Sequence, residues 1–325
     1  MDDEKKVAVA IMNYDGLSVK YNGVSILKLT LDSVIETKYK NMDLYVSDDL
    51  SNDKSLEFIR KNYPMVNIIK AKVHGFYIGA SNNALKILLN KNKYDYILIM
   101  NNDMIIKDYF WLKKMIDLME YDKSIGVQGC QLIYPNGLIQ WAGMSLGKFK
   151  MLPYTIGHGE EQNKTYNSIK EVDAASCIFL ARTKLYKELG LYDKNFIMGG
   201  EETDFCIRAK ERGYKIIYNG NVKLTHLESF TITQHKDPKF VEKSKYFGMV
   251  GYVYFLRKNF SFYKQILGLM IFIGKSVFSL NQRGTKRGVL YLRLQKKPFR
   301  GFILALKAIR DAYSRKLVGK NKLLR

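Results

Sequence analysis

The first part of the chain alternates short, uniformly apolar runs with longer segments in which apolar residues recur at helical spacing. Short apolar runs without polar alternation are typical of strands that are covered on both faces. Strand followed by helix at this spacing predicts right-handed crossovers and a mostly parallel sheet. The predicted strands are residues 7–12, 43–47, 66–70 and 94–100, and the predicted helices are residues 24–36, 54–62 and 79–89.

The middle of the chain changes character. The turn residues Pro135, Asn136 and Gly137 separate two apolar segments, a pattern typical of a β-hairpin. A later helical period stops just before Gly213, which suits a left-handed helix C-cap. The elements predicted here are a hairpin of residues 127–134 and 138–146, a buried strand at 172–181 and a helix at 203–212.

Two segments near the C-terminus combine apolar and basic residues. As a helix, residues 263–280 place Lys264 and Lys275 on one narrow stripe, and the uninterrupted apolar run at 266–274 is far shorter than the ~20 residues that span a bilayer. A second helix at 301–317 carries its lysines and arginines beside an apolar face. Such faces suit helices that lie in a membrane interface. The alternative is that both helices pack on the rest of the protein and their basic residues are merely solvated.

Charge is distributed unevenly along the chain, which has a net charge of +22. Residues 240–325 contain 20 lysines and arginines and only two acidic residues. The first 239 residues contain 33 lysines and arginines and 29 acidic residues. A nearly neutral body with a strongly basic C-terminal segment points to an anionic partner. We expect an anionic membrane surface rather than nucleic acid, because the segment contains no recognised nucleic-acid-binding motif.

Length and cysteine content narrow the class of protein. A chain of 325 residues can bury a sizeable core, either as one large domain or as a domain with an appendage. Its three cysteines, Cys130, Cys177 and Cys206, form neither a zinc spacing nor a disulfide framework, which favours a reducing compartment. The apolar run at residues 7–12 is too short for the core of a signal peptide. We therefore expect a cytoplasmic protein.

Polar residues follow three of the four predicted strands, where ligands bind in open parallel sheets. Asparagine and aspartate also favour turns and helix N-caps, so loop capping explains any one of these groups alone. Their coincidence at several strand ends favours a shared site. The carboxylate of Asp103 would suit Mg²⁺ or Mn²⁺, because Mg²⁺ needs only one or two carboxylates beside substrate phosphates. The groups are Asn13-Tyr14, Asp48-Asp49 and Asn101-Asn102-Asp103.

The order of these motifs resembles a known family. The segments VAVAIMNY, YVSDDLSND, GFYIGASNNAL and YILIMNND, together with an acidic pair before a helix and a later histidine within residues 172–226, are similar to the family-2 glycosyltransferases, particularly their rhamnosyltransferase-like branch. The resemblance covers about residues 5–230. It implies an α/β fold of the GT-A type, which is Rossmann-like with a mostly parallel central sheet and helices on both faces. The expected catalytic domain is 1–235, with a nucleotide-sugar half at 1–125 and an acceptor half at 126–235. A basic, amphipathic helical extension is expected at 236–325.

The resemblance also implies roles for individual residues of the donor site. Asp48 matches the aspartate that holds the nucleotide base, and Asn102 would lie near the ribose or the metal. The other donor-site residues are Asn13 and Tyr14, which would line the base pocket, and Gly79 and Asn82, which would open a helix under the nucleotide.

The metal and the catalytic base are implied in the same way. Asp103 matches the metal-binding carboxylate, His226 matches a histidine that faces the diphosphate and metal, and the metal would be Mg²⁺ or Mn²⁺. Glu202 matches the catalytic base, with Glu201 beside it. Two positions depart from the family pattern, since Asn101 stands where many relatives have Asp and Glu202 stands where the base is usually Asp. An acidic first turn of a helix is the simpler explanation of the glutamate pair.

The function implied is that of an inverting, metal-dependent hexosyltransferase. It would move a sugar from a UDP- or dTDP-type donor to a hydroxyl of a lipid-linked or cell-surface glycan, in polysaccharide biosynthesis or protein glycosylation. We expect peripheral association with the cytoplasmic face of the membrane, and a homo-oligomer is compatible with this expectation. One alternative is a sugar nucleotidyltransferase, although that class should show a Gly-rich, basic loop where this chain has NYDGLS. The other is a non-catalytic nucleotide- or glycan-binding module, which the retained Asp103 and glutamate pair disfavour.

Overall fold

A ten-stranded mixed sheet forms the core of the protein. The computed structural model of the chain describes residues 4–146, 153–227, 238–281, 291–294 and 297–315. In chain order the strands are β1 (Val7–Asn13), β2 (Lys20–Tyr21), β3 (Val24–Ser25), β4 (Met42–Asp48), β5 (Asn67–Lys70), β6 (Tyr96–Asn101), β7 (Met104–Ile106), β8 (Ile125–Ile133), β9 (Ile139–Trp141), β10 (Met144–Ser145), β11 (Tyr154–Thr155), β12 (Ile169–Glu171), β13 (Ile178–Arg182), β14 (Lys215–His226), β15 (Phe278–Asn281) and β16 (Tyr291–Leu294).

Helices connect the strands and cover the sheet. A short 3₁₀ helix at Lys164–Tyr166 precedes β12. The α-helices are α1 (Ile26–Ile35), α2 (Ser55–Asn62), α3 (Phe76–Asn90), α4 (Trp111–Tyr121), α5 (Thr183–Leu189), α6 (Glu201–Lys210), α7 (Pro238–Asn259), α8 (Phe262–Val277) and α9 (Pro298–Ser314).

The strand order of the sheet is β12-β14-β8-β13-β6-β1-β4-β5, with β7 added to β14 and β9 added to β8. The four strands β6, β1, β4 and β5 run parallel, and β13 joins them to the second half in antiparallel orientation. The register pairs Asn13 with Asp48 and Met12 with Asn101. The polar residues that follow these strands therefore meet at the same edge of the sheet, as the sequence predicted.

The apolar pattern of the strands agrees with their burial. All seven residues of β1 are buried, because helices and neighbouring strands leave no face of this strand exposed. The predicted hairpin is confirmed: β8 and β9 pair antiparallel across a turn in which Gly137 has a φ of 86°. That left-handed conformation is one that glycine adopts without steric cost.

Several predicted elements differ from the structure in their bounds. The helix predicted at 263–280 ends at Val277, where β15 begins, and the helix predicted at 79–89 begins at Phe76. The strand predicted at 172–181 is confined to β13, because Cys177 has a φ of 63° and turns the chain just before it. The helix predicted at 203–212 begins two residues earlier, at Glu201. The second C-terminal helix spans Pro298–Ser314, and the part of its prediction beyond residue 315 lies outside the described residues.

The three C-terminal helices pack against one another, and α7 also packs into the protein body. Val250, Val253, Tyr254 and Phe255 of α7 are buried in the same hydrophobic cluster as the sheet. The sequence becomes strongly basic near residue 240, but the core continues across that point. None of the helices in the described ranges combines the length and the apolar character needed to cross a bilayer.

Candidate active site

A cavity of about 340 Å³ lies at the carboxyl edge of the parallel strands. Its walls come from the ends of β1, β6 and β14, the start of α3, the turn before β13 and the loop that leads into α6. A cavity of this size, with polar groups converging in it, is the expected form of a small-molecule site. Nine of the residues that the sequence singled out line it: Asn13, Tyr14, Asp49, Asn101, Asn102, Asp103, Glu201, Glu202 and His226.

Asp48 lies just beneath this cavity and does not line it. Its side chain is fully buried and accepts hydrogen bonds from Asn13 Nδ2 at 2.9 Å and from the backbone N–H and the hydroxyl of Ser51 at 3.0 and 2.5 Å. Asn102 Nδ2 in turn donates to Asn13 Oδ1 at 2.7 Å. The observed contacts of Asp48 thus fix the orientation of Asn13 and Asn102, which do face the cavity.

Gly79 and Asn82 sit in the first two turns of α3 and also lie outside the cavity lining. The side-chain amide of Asn82 donates to the carbonyl of Tyr192 at 2.9 Å and accepts from its N–H at 3.0 Å. This pair of bonds ties α3 to the segment that leads to α6.

One wall of the cavity is aromatic. Of its residues, the sequence predicted only Tyr14. The ring of His74 lies 4.7 Å from that of Tyr14 and 4.5 Å from that of Phe76, measured between centroids. His74 Nδ1 is 2.8 Å from Asp49 Oδ2, and this hydrogen bond raises the pKa of the imidazole above its ordinary value. Aromatic faces beside polar groups suit a flat ring or a sugar face.

Asp103 and His226 form the most polar corner of the cavity. Strand β7 pairs with β14 so that His226 lies opposite Met104, and Asp103 Oδ1 is 3.0 Å from His226 Nε2. The other ring nitrogen, Nδ1, is 2.7 Å from Gln140 Oε1. An amide oxygen only accepts hydrogen bonds, so Nδ1 carries the proton and donates it. In the neutral imidazole, Nε2 therefore presents its lone pair towards the Asp103 carboxylate.

This corner fits a divalent cation. Asp103 Oδ1 is buried and accepts no hydrogen bond from the part of the chain that the structure describes. A lone pair and a carboxylate oxygen that converge at 3.0 Å repel each other unless a cation or a proton is present. Within the described ranges, no three His, Cys, Asp or Glu side chains are grouped to hold a metal ion. Two protein ligands suit Mg²⁺ or Mn²⁺, which complete their shells with water and phosphate oxygens.

Asn101 stands where the resemblance implies an aspartate, and it contacts the histidine of this corner. Its Nδ2 lies 3.4 Å from His226 Nε2, so the amide can donate weakly to the lone pair. Gln140, which fixes the tautomer of the histidine, could not be predicted because it lies on β9, far away in the sequence.

Glu202 is held by donors from two other elements. Its Oε1 accepts from the hydroxyl of Tyr77 at 2.7 Å, and its Oε2 accepts from the hydroxyl of Ser176 at 2.7 Å and the N–H of Cys177 at 3.3 Å. Burial raises the pKa of Glu202, and these hydrogen bonds oppose the rise because they stabilise the anion. The same burial keeps the pKa of the Cys177 thiol well above its ordinary value, so this cysteine is a poor nucleophile.

Glu201 has a different environment although it is the adjacent residue. Its Oε2 is buried and has no hydrogen-bond partner among the described residues. Burial is the largest cause that raises its pKa, to about 8, and the charge of Glu202 adds to the rise. Two buried carboxylates this close cannot both ionise readily. The environments therefore favour an ionised Glu202 beside a protonated Glu201 near neutral pH.

Curated relatives of this chain match it over part of their length. The O-antigen biosynthesis protein RfbC of Myxococcus xanthus is 24% identical over 219 residues, which are 63% of this chain and 16% of that protein. The dTDP-rhamnosyl transferase RfbG of Shigella flexneri is 32% identical over 110 residues, which are 32% of this chain and 37% of that protein. The chain thus spans well under half the length of either relative.

Solved structures share the fold. A crystal structure of GalNAc-T7 with UDP, GalNAc and Mn²⁺ superposes with a TM-score of 0.57 at 19% identity, covering 81% of this chain and 50% of that one. Residues 1–349 of S. aureus TarS superpose with a TM-score of 0.55 at 14% identity, covering 95% and 81%. At such low identities the likeness shows the fold, which is the GT-A fold that the sequence predicted.

A family model described as "Glycosyl transferase family 2" matches residues 19–190, more than half of the chain. The matched range contains the strands β4 and β6, the helix α3 and the carboxylate of Asp103. The glutamate pair and His226 lie beyond it and join the same cavity. The chain therefore belongs to glycosyl transferase family 2.

Proposed function

We propose that the protein is an inverting glycosyltransferase that moves a sugar from a nucleoside-diphosphate sugar to an acceptor hydroxyl, with the help of Mg²⁺ or Mn²⁺. One observation carries the proposal: a pair of converging metal-ligand atoms, on Asp103 and His226, and a pair of buried carboxylates, Glu201 and Glu202, face the same cavity. Displacement of a nucleoside diphosphate by a sugar hydroxyl needs these two groups, one for the leaving group and one for the nucleophile.

Glu202 is the proposed general base. A sugar hydroxyl is a poor nucleophile near neutral pH and must lose its proton to a carboxylate within hydrogen-bond reach. Three donors hold the Glu202 anion in place, and the neutral Glu201 beside it avoids a second buried charge. The oxygen of the acceptor attacks the anomeric carbon as the bond to the diphosphate breaks, and the proton passes to Glu202. One such step inverts the configuration at the anomeric carbon.

Asp103 and His226 are the proposed metal ligands, and Asn13 and Asn102 the proposed donor contacts. A divalent cation bound there would neutralise the charge that develops on the diphosphate. The hydrogen-bonded chain from Asp48 through Asn13 to Asn102 holds both amides in fixed orientations, so they can bind the nucleotide without first being ordered.

The names of the relatives support a donor class. One relative is named a dTDP-rhamnosyl transferase, and one solved structure of the same fold contains UDP and Mn²⁺. We propose a UDP- or dTDP-type donor on this basis. Another relative is named for O-antigen biosynthesis, which supports a lipid-linked or cell-surface glycan as the acceptor.

Calorimetric titration of UDP, dTDP and GDP, each with and without Mn²⁺, tests this proposal. We expect one nucleotide to bind in a metal-dependent manner and Asp103→Ala to abolish that binding. Asp108→Ala, which alters an aspartate outside the cavity lining, is the matched control and should bind as the parent does. Absence of binding by all three nucleotides would refute the donor site. Binding without turnover of any sugar nucleotide would support a binding module instead.

We further propose that α8 and α9 attach the protein peripherally to the cytoplasmic face of the membrane, where a lipid-linked acceptor would be presented. The inner side of α9 is lined with buried alanines, and its outer side exposes Phe299, Ile303 and Leu306. Helix α8 likewise buries Phe272 and exposes Met270, 64% of whose surface is accessible. Exposed basic residues border these apolar faces: Lys275, Arg300, Lys307 and Arg310. An apolar face bordered by cations matches the boundary of an anionic bilayer.

Co-flotation with vesicles tests the membrane proposal. The protein should float with phosphatidylcholine vesicles that contain phosphatidylserine, and less with phosphatidylcholine alone. Met270→Glu should reduce flotation, whereas Met65→Glu, at a methionine of similar exposure (60%) outside α8 and α9, should not. Equal flotation of both variants with the parent, or no flotation of the parent at physiological salt, would contradict the proposal.

A further inference from the structure

The loop at residues 196–200, just before the glutamate pair, has an unusual backbone. Ile197 has a φ of 63°, and Gly199 and Gly200 follow with φ values of 78° and 95°. Positive φ is a genuine outlier for a β-branched residue such as isoleucine. Such a conformation persists only where the surrounding structure holds it in place. Neighbouring elements must therefore fix this loop, and with it the start of α6.

Helix α7 touches this loop backbone to backbone. A Cβ atom placed on Gly251 would lie 2.6 Å from the carbonyl oxygen of Met198 and 2.8 Å from that of Gly199. Real Cβ atoms do not approach other atoms so closely, so only glycine permits the contact. The loop that leads into the glutamate pair thus rests directly on a helix from the C-terminal, basic part of the chain.

A second contact, about two turns further along α7, brackets the same loop. Lys258 is 2% exposed, and its Nζ lies 3.0 Å from Asp193 Oδ2 and 2.8 Å from Asp204 Oδ1. Asp193 precedes the loop, and Asp204 lies in the first turn of α6, directly after it. Arg208 donates to Asp204 and Tyr254 donates to Asp193, so both carboxylates are fully engaged. One buried ammonium therefore joins the two ends of the loop.

We propose that α7 is part of the active-site machinery, with Gly251 and Lys258 as positioning residues that hold the loop before the glutamate pair, and with it the start of α6, in place for catalysis. The inference rests on the proposed function in that Glu201 and Glu202 carry the chemistry. Gly251 sets how closely the loop lies to α7, and Lys258 sets the distance between its two ends. Neither residue lines the cavity. Their loss should therefore lower the rate of the chemical step without weakening nucleotide binding.

The first test compares Gly251→Ala with Gly248→Ala. Both substitutions add one methyl group to α7, but the methyl at Gly248 meets nothing within 4 Å. We expect Gly251→Ala to lower kcat about 10- to 100-fold, since small misplacements of catalytic groups have effects of this size, while KM for the sugar nucleotide changes little. Gly248→Ala should behave as the parent does. Turnover is followed as nucleoside diphosphate released from UDP-, dTDP- and GDP-sugars.

Hydrogen exchange of the amides at residues 196–204 supplies a readout that needs no substrate. Exchange should be faster in Gly251→Ala than in the parent or in Gly248→Ala. A parent-like kcat in Gly251→Ala overturns the proposal. If the parent itself turns over none of the sugar nucleotides, the proposed function has failed, and the exchange comparison alone then decides whether α7 holds the loop.

The second test uses two adjacent residues of α7 that face different partners. Lys258→Met leaves two buried carboxylates without their cation and risks unfolding the protein. Its kcat and hydrogen exchange are therefore compared with those of a matched variant. Arg257→Met breaks bonds to the carbonyls of Ala312 and Arg315 at the end of α9, away from the loop. We expect Lys258→Met alone to lower kcat and to speed exchange at 196–204, and Lys258→Arg to restore part of the rate. Equal kcat losses in the two Met variants would show a general effect of stability and overturn the assignment of Lys258.

Discussion

Replacing Glu201 with glutamine removes a buried carboxyl group whose proton the folded protein holds unusually tightly. The pKa of Glu201 is about 8 in the folded state, against an ordinary value of 4.5, and burial is the largest cause. Between these two values the folded state binds more protons than the unfolded state. The stability of the parent therefore falls as pH rises through this window. A glutamine does not titrate, so the variant escapes this loss.

The size of the effect follows from the shift. A displacement of three to four pKa units, at about 1.4 kcal/mol per unit, corresponds to roughly 4–5 kcal/mol across the whole window. Part of the shift is due to the charge of Glu202, so this figure is an upper bound on what Glu201 alone contributes. We expect the free energy of unfolding of Glu201→Gln, measured relative to that of the parent, to increase by several kcal/mol between about pH 5 and about pH 8.5.

Urea unfolding of the parent and the variant at the two pH values measures this gain. The cost of burying the glutamine amide does not depend on pH. It therefore cancels when the difference in unfolding free energy between the variant and the parent is compared at the two pH values. Glu57→Gln, at an exposed glutamate on α2, is the control and should show no pH-dependent gain. If the difference in unfolding free energy between Glu201→Gln and the parent is the same at both pH values, Glu201 is not held protonated and the reasoning is refuted.

Three further outcomes follow from the contacts of the cavity. Gln140→Leu should weaken Mn²⁺ binding about 10- to 100-fold in calorimetry, because His226 loses the partner that fixes its tautomer; unchanged affinity would contradict the assignment of the metal site. Tyr77→Phe removes a donor to the Glu202 anion and should raise the pKa of that carboxyl further, so the acidic limb of the kcat/KM profile should move to higher pH; an unmoved limb would argue against Glu202 as the base. Gly16→Ala would place a methyl group against the side chains of Asn102 and Asn13, and it should raise the dissociation constant of the nucleotide in calorimetry; an unchanged constant would argue against these two amides as donor contacts.

The parallel half of the sheet could be predicted from the sequence because its signal is local. Strands covered on both faces are apolar throughout, and β1 shows this along its whole length. The register of β1 with β4 and β6 then brings the polar residues at their ends together. The position of the cavity was therefore accessible from the pattern of apolar runs and the residues that end them.

The partners of the proposed catalytic carboxylates could not be predicted in this way. Tyr77 lies 125 residues from Glu202, and Ser176 lies 26 residues away on a turn that the sequence assigned to a strand. Such contacts depend on tertiary packing, which leaves no period or spacing in the sequence. The same holds for His74, whose interaction with Asp49 joins two loops.

Helix α7 lies within the helical extension expected at 236–325, but the helix itself was not predicted, for a different reason. An amphipathic helix shows a period because one side meets water, whereas residues 250–259 of α7 are buried on nearly every side between the protein body and the helices α8 and α9. Its lysine at position 258, which in most sequences would indicate an exposed face, is buried by its two carboxylate partners. Burial on nearly every side removes the contrast between apolar and polar positions from which a helical period is recognised.

The packing of α7 also restricts how this chain could have diversified. A C-terminal segment that only attached the enzyme to a surface could be replaced by recombination, because nothing else would depend on its sequence. Here the segment after residue 237 fills part of the hydrophobic core and contacts the carbonyls of Met198 and Gly199 through a glycine. A replacement acquired from a relative would have to bring a glycine and a lysine at matching positions of its first helix. New targeting properties are therefore easier to acquire by changing the outward faces of α8 and α9 than by exchanging the segment.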